Sequence, residues 1–333
     1  MAAVREYFGT LLDRFGEAWN RFWFEPSDPY TLSLIRVLTG IIALYTQLTL
    51  LPDATRFFAA SGWLPIETIA ELEAGRSSPS YFNYLTSATE VRMAVVAGII
   101  VLAMFTAGLF TRLMTAGSLL VMLSTVNRAP MLASQLEPVI IMVLFYLCFA
   151  PAGEYFSLDR WLKRRRAAQP GGPAMPLEPR RSVGATIATR LLQVHLAMLY
   201  ATMGLSKLFS PEWWNGSGVW WLVMRPNSSL VDLSDLATHP YLVNAWTHAI
   251  VAFELAFAVL IWNRLARPLL LGISAVMWLL TGMLIGNVPF ALMMLAANLA
   301  FVPPETLRRA LSAFQGQTRQ HTLAAEPLEA KIV

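Results

Sequence analysis

Cysteine is almost missing: Cys148 stands alone in the chain, which excludes an intramolecular disulfide framework and any cysteine-built metal site. Charge is scarce too, at 14% of 333 residues against 56% hydrophobic, whereas a water-soluble domain carries about a quarter charged residues. That balance excludes a disordered or collagenous chain. Only four histidines occur, His195, His239, His248 and His321. His239 and His248 stand at a spacing that does not put two ligands on one helix face, so no metal site is expected. Also absent are GxxxxGK[ST], a GxGxxG after a strand, HExxH and CxxC, which leaves nucleotide, dinucleotide and zinc chemistry without a motif.

What is present instead is a series of apolar runs, most of them near the twenty residues that a helix rising 1.5 Å per residue needs to cross roughly 30 Å of hydrocarbon. They predict an all-α integral membrane protein with about eight transmembrane helices, near residues 31–51, 92–110, 113–127, 136–151, 184–209, 241–262, 267–286 and 288–302. In the preceding residues 1–30, Tyr7, Phe8, Leu11, Leu12, Phe15, Trp19 and Trp23 interleave with charges, which predicts an amphipathic helix lying in the membrane interface. No short apolar core with a small-residue cleavage site opens the chain, so the first span is expected to remain as an anchor.

An even number of spans puts both termini on one side. With that side cytoplasmic, 17 of the 25 Lys and Arg residues fall there and only Arg56, Arg76, Arg92, Arg128 and Arg225 fall opposite. This is the positive-inside distribution expected of a plasma or inner membrane protein. Residues 163–181, KRRR followed by PGGPAMP, read as a flexible basic cytoplasmic linker, with anionic-lipid or partner binding as the other reading. Residues 31–310 form the membrane domain and 311–333 a disordered cytoplasmic tail. The long connections, 52–91 and 210–240, share the outer face, where a site is expected.

Arg36, Arg190, Lys207 and Glu254 lie inside the spans, where an unpaired charge costs about 2.5 kcal/mol or more. Counted from the inner ends of their own helices, Arg190 and Glu254 reach similar depths, about 9 and 12 Å. That predicts a structural ion pair between Glu254 and Arg190 or Arg36. Arg190, Gln193, Ala197, Tyr200, Gly204 and Lys207 recur at steps of three and four and so form one stripe. Gly204 lets a backbone or a ligand ring come close, and Tyr200 offers a ring and a hydroxyl. His195, off that stripe, is expected to be a satisfied buried or interhelical histidine and not a ligand.

Lys207 ends the stripe just before Ser210, Pro211 and Glu212, whose order predicts the start of a short helix. Two readings of it stand: a snorkelling anchor beside Trp213 and Trp214, or a neutral amine, desolvated by the bundle, that takes a proton.

The segment YATMGLSKL (200–208), followed by Trp213 and Gly216, resembles the Y…G..KL…W..G segment of the vitamin K-dependent gamma-carboxylase-like family, the horizontally transferred transmembrane domain (HTTM). FEPSDPYTLSLIRVLTG (24–40) is similar to that family's lead-in to its first span, and FSLDRWL (156–162) to its turn after the fourth. The sixth span with Glu254, the basic turn before LLLG, and FALMMLAANLAFVPP (290–304) agree in order, so the resemblance covers about residues 20–310. It implies a carbon-carbon lyase or carboxylase in which Lys207 deprotonates vitamin K hydroquinone or another menaquinol-like quinol. Oxygen then turns the quinol into a base that removes the γ-proton of a glutamate in an exported protein or peptide, and CO2 adds. The implied cofactors are therefore the quinol, O2 and CO2; the partners are membrane lipid, quinone and the exported substrate, not nucleic acid.

On this reading the site opens to the extracytoplasmic face. Tyr200, Gln193, Gly204, Asn127, Arg128, Trp213 and Trp214 are its binding residues, and Glu254, Arg190 and Arg36 are structural. The chain departs from the family where an HRNP-like segment is Asn127-Arg128-Ala129-Pro130 and where a seventh-span histidine is Trp278. No large outer domain of the kind animal carboxylases use to hold their substrates is expected after the last span. The alternative is a non-catalytic HTTM protein that binds a lipid or quinone, or assists the maturation or transport of an exported partner.

Overall fold

A computed structural model of the chain describes residues 2–60, 62–63, 65–72, 78–169, 179–224 and 233–313. Among them the secondary structure is helical, with one isolated bridge between Ser27 and Ser182. The helices are α1 (Ala2–Phe24), α2 (Tyr30–Leu50), α3 (Ala54–Phe58), α4 (Ile66–Leu72), α5 (Ala88–Ala107), α6 (Thr111–Arg128), α7 (Leu136–Leu147) and α8 (Leu158–Ala167). They continue as α9 (Val183–Leu208), α10 (Pro211–Trp214), α11 (Gly218–Val223), α12 (Pro240–Leu260), α13 (Ala266–Ile285), α14 (Val288–Asn298) and α15 (Pro304–Ala313).

Each apolar run in the sequence is a helix with ends displaced by a few residues. Four helices are long and apolar enough to cross a membrane: α2 with its extension into α3, α5, α12 and α13. A fifth appears if α14 and α15, bent by 119° at their junction, count as one broken span. Three others of the expected spans fall short. α7 has only 12 residues, α6 dilutes its apolar residues with Thr, Ser, Asn and Arg, and α9, though 26 residues long, interrupts its apolar residues with Arg190, Gln193, His195 and Lys207.

Local chemistry fixes the ends of these helices. Ser87 and Glu90 form a capping box at the start of α5, and Gly108, at φ +71°, closes it. A Cβ at Gly108 would lie 2.5 Å from the Ser157 Cβ and 3.0 Å from an Arg36 nitrogen, so only glycine fits there. Arg36 is fully buried and donates to the carbonyls of Phe105, Thr106, Ala152 and Phe156. It satisfies the last turn of α5 and the loop after α7, where helix carbonyls otherwise lack donors. The expected partnership of Arg36 with Glu254 is therefore corrected: this guanidinium is consumed by main-chain oxygens.

Asp159, in the first turn of α8, caps α6 from outside it. Its carboxylate accepts from the Phe110 and Thr111 N–H groups and from the Thr111 hydroxyl. Burial opposes its charge, but these bonds more than offset that and hold the carboxyl below the usual aspartate range. A carboxyl lowered by folding contributes stability above its unfolded pKa, and the contribution disappears as pH falls through the folded value. Acidification below roughly pH 4 is expected to lower the thermal midpoint. Asp159→Asn should remove this part of the acid sensitivity and cost about 0.5–2 kcal/mol at neutral pH, as a lost helix cap does. Melting curves in detergent between neutral and acid pH check it, and an unchanged acid slope in the variant counts against the cap.

The basic segment is corrected in part. Residues 163–167 continue α8, which Ser157 caps and whose last turn carries Arg164, Arg165 and Arg166, a placement that favours the helix dipole. Residues 170–178 of the expected linker, and 314–333 of the expected tail, lie outside the described residues. α1 exposes Tyr7, Phe8, Leu11, Leu12, Phe15 and Trp19, while its end packs on α9, where the Arg190 guanidinium lies 4.3 Å from the Phe22 ring. α14 runs through the middle of the bundle with Met293, Met294 and Ala297 fully buried.

Candidate functional site

The site begins where α9 and α12 touch most closely. A Cβ on Gly204 would lie 2.8 Å from Leu255 and 3.3 Å from the Glu254 Cβ, so the absence of a side chain lets the two backbones approach. One turn further along α9, the Lys207 ammonium reaches both carboxylate oxygens of Glu254, at 2.6 and 2.7 Å. Glu254 is 2% exposed and Lys207 16%. The indole of Trp213, on α10, lies 5.0 Å from the same ammonium.

This corrects the expected ion pair. Arg190 bonds the Phe22 carbonyl and Gln193 instead. The depth estimate failed because α9 and α12 do not begin level. Glu254 lies beside Gly204, and the fourteen residues between Arg190 and Gly204 amount to about 21 Å of helix. Lys207 is held by Glu254 at two points, a partner that neither reading of the lysine names.

Lys207 and Glu254 form part of the wall of a partly open cavity of about 580 Å³ among α9, α10, α11, α12, α13 and α14, with Ser134 and Gln135 at its side. Met203, Trp213, Val223, Trp246, Trp278 and Phe290 supply much of the remaining surface. α11 is held to α12 by the Val219 N–H donating to the Thr247 hydroxyl, at 3.1 Å. Beneath the cavity, Trp278 donates its indole N–H to the Tyr200 oxygen at 2.6 Å, and Asn298 donates to the same oxygen at 2.8 Å and to Ser274 at 2.6 Å. Tyr200 stacks on Phe257 with centroids 3.9 Å apart. Its hydroxyl thus fixes the indole that floors the cavity.

The structure brings Lys207, Gly204, Trp213 and, one layer below, Tyr200 together, and separates the other candidates. Gln193 is spent on Arg190 and the Ala300 carbonyl, well down the stripe from the cavity. Asn127 and Arg128 end α6 and do not line the cavity; Asn127 donates to the Pro79 carbonyl at 2.9 Å, and Arg128 is fully buried. Trp214, 70% exposed, lies on a smaller cleft with His248 on another side of Lys207. His195 meets the Tyr146 hydroxyl at 2.8 Å, an interhelical contact.

Sequence reasoning missed Trp246, Trp278, Ser274 and Asn298 as a group, and gave Glu254 only a structural role. The signal that pointed to Glu254 was its cost: a carboxylate within an apolar helix needs a partner, and of the three cations within the spans Lys207 was the one not offered to it. A second cavity, of about 290 Å³ between α2, α6 and α7, contains Gln47, Thr125 and Glu137. Its carboxylate is engaged by the Ser134 N–H and hydroxyl, and no cation lines it.

A buried ion pair facing a mostly apolar hollow could accept a proton without changing the net charge of the protein and a ligand together. One ammonium proton would pass to the carboxylate as the amine received a proton from the ligand, and the ammonium would remain beside the anion so created. No protein-family model, curated protein or solved structure matches the chain.

Proposed function

We propose that the chain is an eight-span membrane enzyme that binds an aromatic, quinol-type lipid beside Lys207 and takes its hydroxyl proton through the Lys207–Glu254 pair. The observation that carries this reading is the pairing of a 2.6 Å ion pair with a largely apolar cavity of about 580 Å³. A ring of quinol size fits such a space, which falls within the roughly 300–1,000 Å³ of ordinary ligand pockets. Trp213, Trp246 and Trp278 would hold its faces, and Lys207 its hydroxyl. A bound quinol would supply reducing power toward O2 and thereby the base for carboxylating an exported substrate, the step the HTTM resemblance implies.

The residues divide the work. Lys207 meets the ligand, Glu254 stores the proton, and Trp213 shields the ammonium from water. The apolar walls strengthen the ion pair's field by keeping the dielectric low. A spectroscopic titration under anaerobic conditions tests this: a naphthoquinol bound to the protein should ionise at lower pH than the same compound in detergent alone. Lys207→Met combined with Glu254→Leu should abolish the difference, and a difference that survives in that double variant would exclude the pair as acceptor.

With eight spans and Lys and Arg gathered on the cytoplasmic side, the cavity would open at the extracytoplasmic end. Single cysteines introduced by Asn215→Cys and Ala168→Cys in a Cys148→Ser background are expected to label from opposite sides, with position 215 accessible from outside. Labelling of both from one side would overturn the eight-span arrangement.

A further inference from the structure

α8 is fastened to one end of the bundle by its acidic and basic groups alike. Asp159 caps α6, and Arg160, on the inward side, donates to Glu154 at 3.1 Å and lies 5.8 Å from the Tyr155 ring. The carboxylates of Glu154 and Asp159 therefore find their partners within the protein. Lys163, Arg165 and Arg166, in contrast, are exposed. They stand on an ordered helix in place of the flexible segment that the sequence suggested.

The outward face of α8 is not purely basic. Leu158, Trp161, Leu162 and Arg165 recur at steps of three and four, so they share one side of the helix, turned away from Arg160. Trp161 is 53% and Leu158 44% exposed, and the Arg165 guanidinium lies 5.3 Å from the Trp161 ring. Lys163 and Arg166 flank this strip. Phe156, just before α8, and Phe110, whose N–H the Asp159 carboxylate holds, add exposed rings at the same end of the bundle.

We propose that this face of α8 binds anionic phospholipid of the adjoining leaflet, with Leu158, Trp161 and Leu162 entering the acyl boundary and Lys163, Arg165 and Arg166 meeting headgroup phosphates. The inference stands apart from any ligand of the cavity. Its support is the combination of chemistries on one face. Cations alone would suit a soluble acidic partner, and an apolar strip alone an uncharged surface; the two together, on a helix fastened to a membrane domain, suit charged lipid. Basic residues flanking Trp and Leu are what a helix lying in the headgroup region presents, where long basic side chains reach phosphate while their stems cover apolar surface. On the eight-span reading this end faces the cytoplasm, the leaflet whose anionic lipids attract basic segments. Because the Asp159 cap and Arg160 already fix the helix, binding orders little further chain.

The test attaches a bimane fluorophore at Leu158→Cys in a Cys148→Ser background of the full chain, in phosphatidylcholine nanodiscs, and titrates in lipid that carries a nitroxide quencher high on its acyl chain. Both nanodisc leaflets hold the same lipid, so the readout does not depend on which way the chain crosses. Nitroxide-labelled phosphatidylglycerol is expected to quench at a mole fraction roughly fivefold lower than nitroxide-labelled phosphatidylcholine, the enrichment that one cation near a charged surface supplies. Lys163→Gln, Arg165→Gln and Arg166→Gln combined leave Asp159 and Arg160 in place and should bring the two quenching curves together. Equal quenching by the two lipids when the three cations are present, or a preference that survives their removal, would overturn the proposal. Absence of quenching by either lipid would overturn it as well, leaving the face to a soluble acidic partner.

Discussion

Glu254→Gln and Lys207→Met are each expected to slow proton transfer from a bound quinol by about 10²–10⁴-fold, the usual contribution of a positioned acid–base group. The two act in series, so the double variant should be scarcely slower than either single one. Lys207→Arg separates the possible roles of the lysine. Arginine would keep the contact with Glu254 and the positive charge, but it does not give up a proton, so the relay predicts that it fails. Recovery of most of the rate in Lys207→Arg would show that only the charge matters and that the carboxylate acts alone.

Stability should respond differently. Lys207→Met strands a carboxylate that is 2% exposed, and breaking a buried pair from one side costs about 3–5 kcal/mol. Lys207→Met combined with Glu254→Leu removes both charges and should restore much of that loss without restoring proton transfer. A double variant that recovers stability but not chemistry separates the pair's proposed catalytic role from its place in the packing. Thermal unfolding and stopped-flow absorbance on the same preparations supply both readouts.

The second large effect concerns Arg36. Arg36→Met leaves the carbonyls of Phe105, Thr106, Ala152 and Phe156 without their donor. Each buried acceptor left unpaired costs about 1–3 kcal/mol, so the total is comparable with the roughly 5–15 kcal/mol that holds a folded protein together. The expected outcome is loss of the monodisperse peak in size-exclusion chromatography. Arg36→Lys should recover only part of it, because one ammonium cannot span the fork that reaches four oxygens. Arg190→Met should be milder, since Arg190 is only half-buried and serves Phe22 and Gln193. An Arg36→Met protein as stable as the original would refute the clamp.

The positions of the helices were legible because lipid imposes apolarity in blocks, and the eight runs from 31–51 to 288–302 are each helical. The stripe on α9 was legible for a related reason: helical period sets which side chains share a face, and it brought Gly204 and Lys207 into line. What period cannot set is the stagger between two helices. Glu254 was matched to Arg190 by depth along separate helices, whereas Gly204 brings α9 against α12 about 21 Å further along. The floor of the cavity was hidden because Tyr200, Ser274, Trp278 and Asn298 come from three helices and meet only when α13 and α14 fold back on α9. Asn127 and Arg128 were drawn in by their place in a motif, but the fold sets them at the end of α6, away from the cavity wall.

The most direct test of the account is photo-crosslinking of an azido-naphthoquinone to the purified protein, with the modified peptides identified by mass spectrometry. Labelling is predicted on residues lining the cavity, Met203, Trp213 and Trp278 foremost, and should be competed away by unlabelled naphthoquinone. Crosslinks confined to the α2–α6–α7 hollow around Gln47 and Thr125, or scattered over the outer surface and unaffected by competitor, would contradict it.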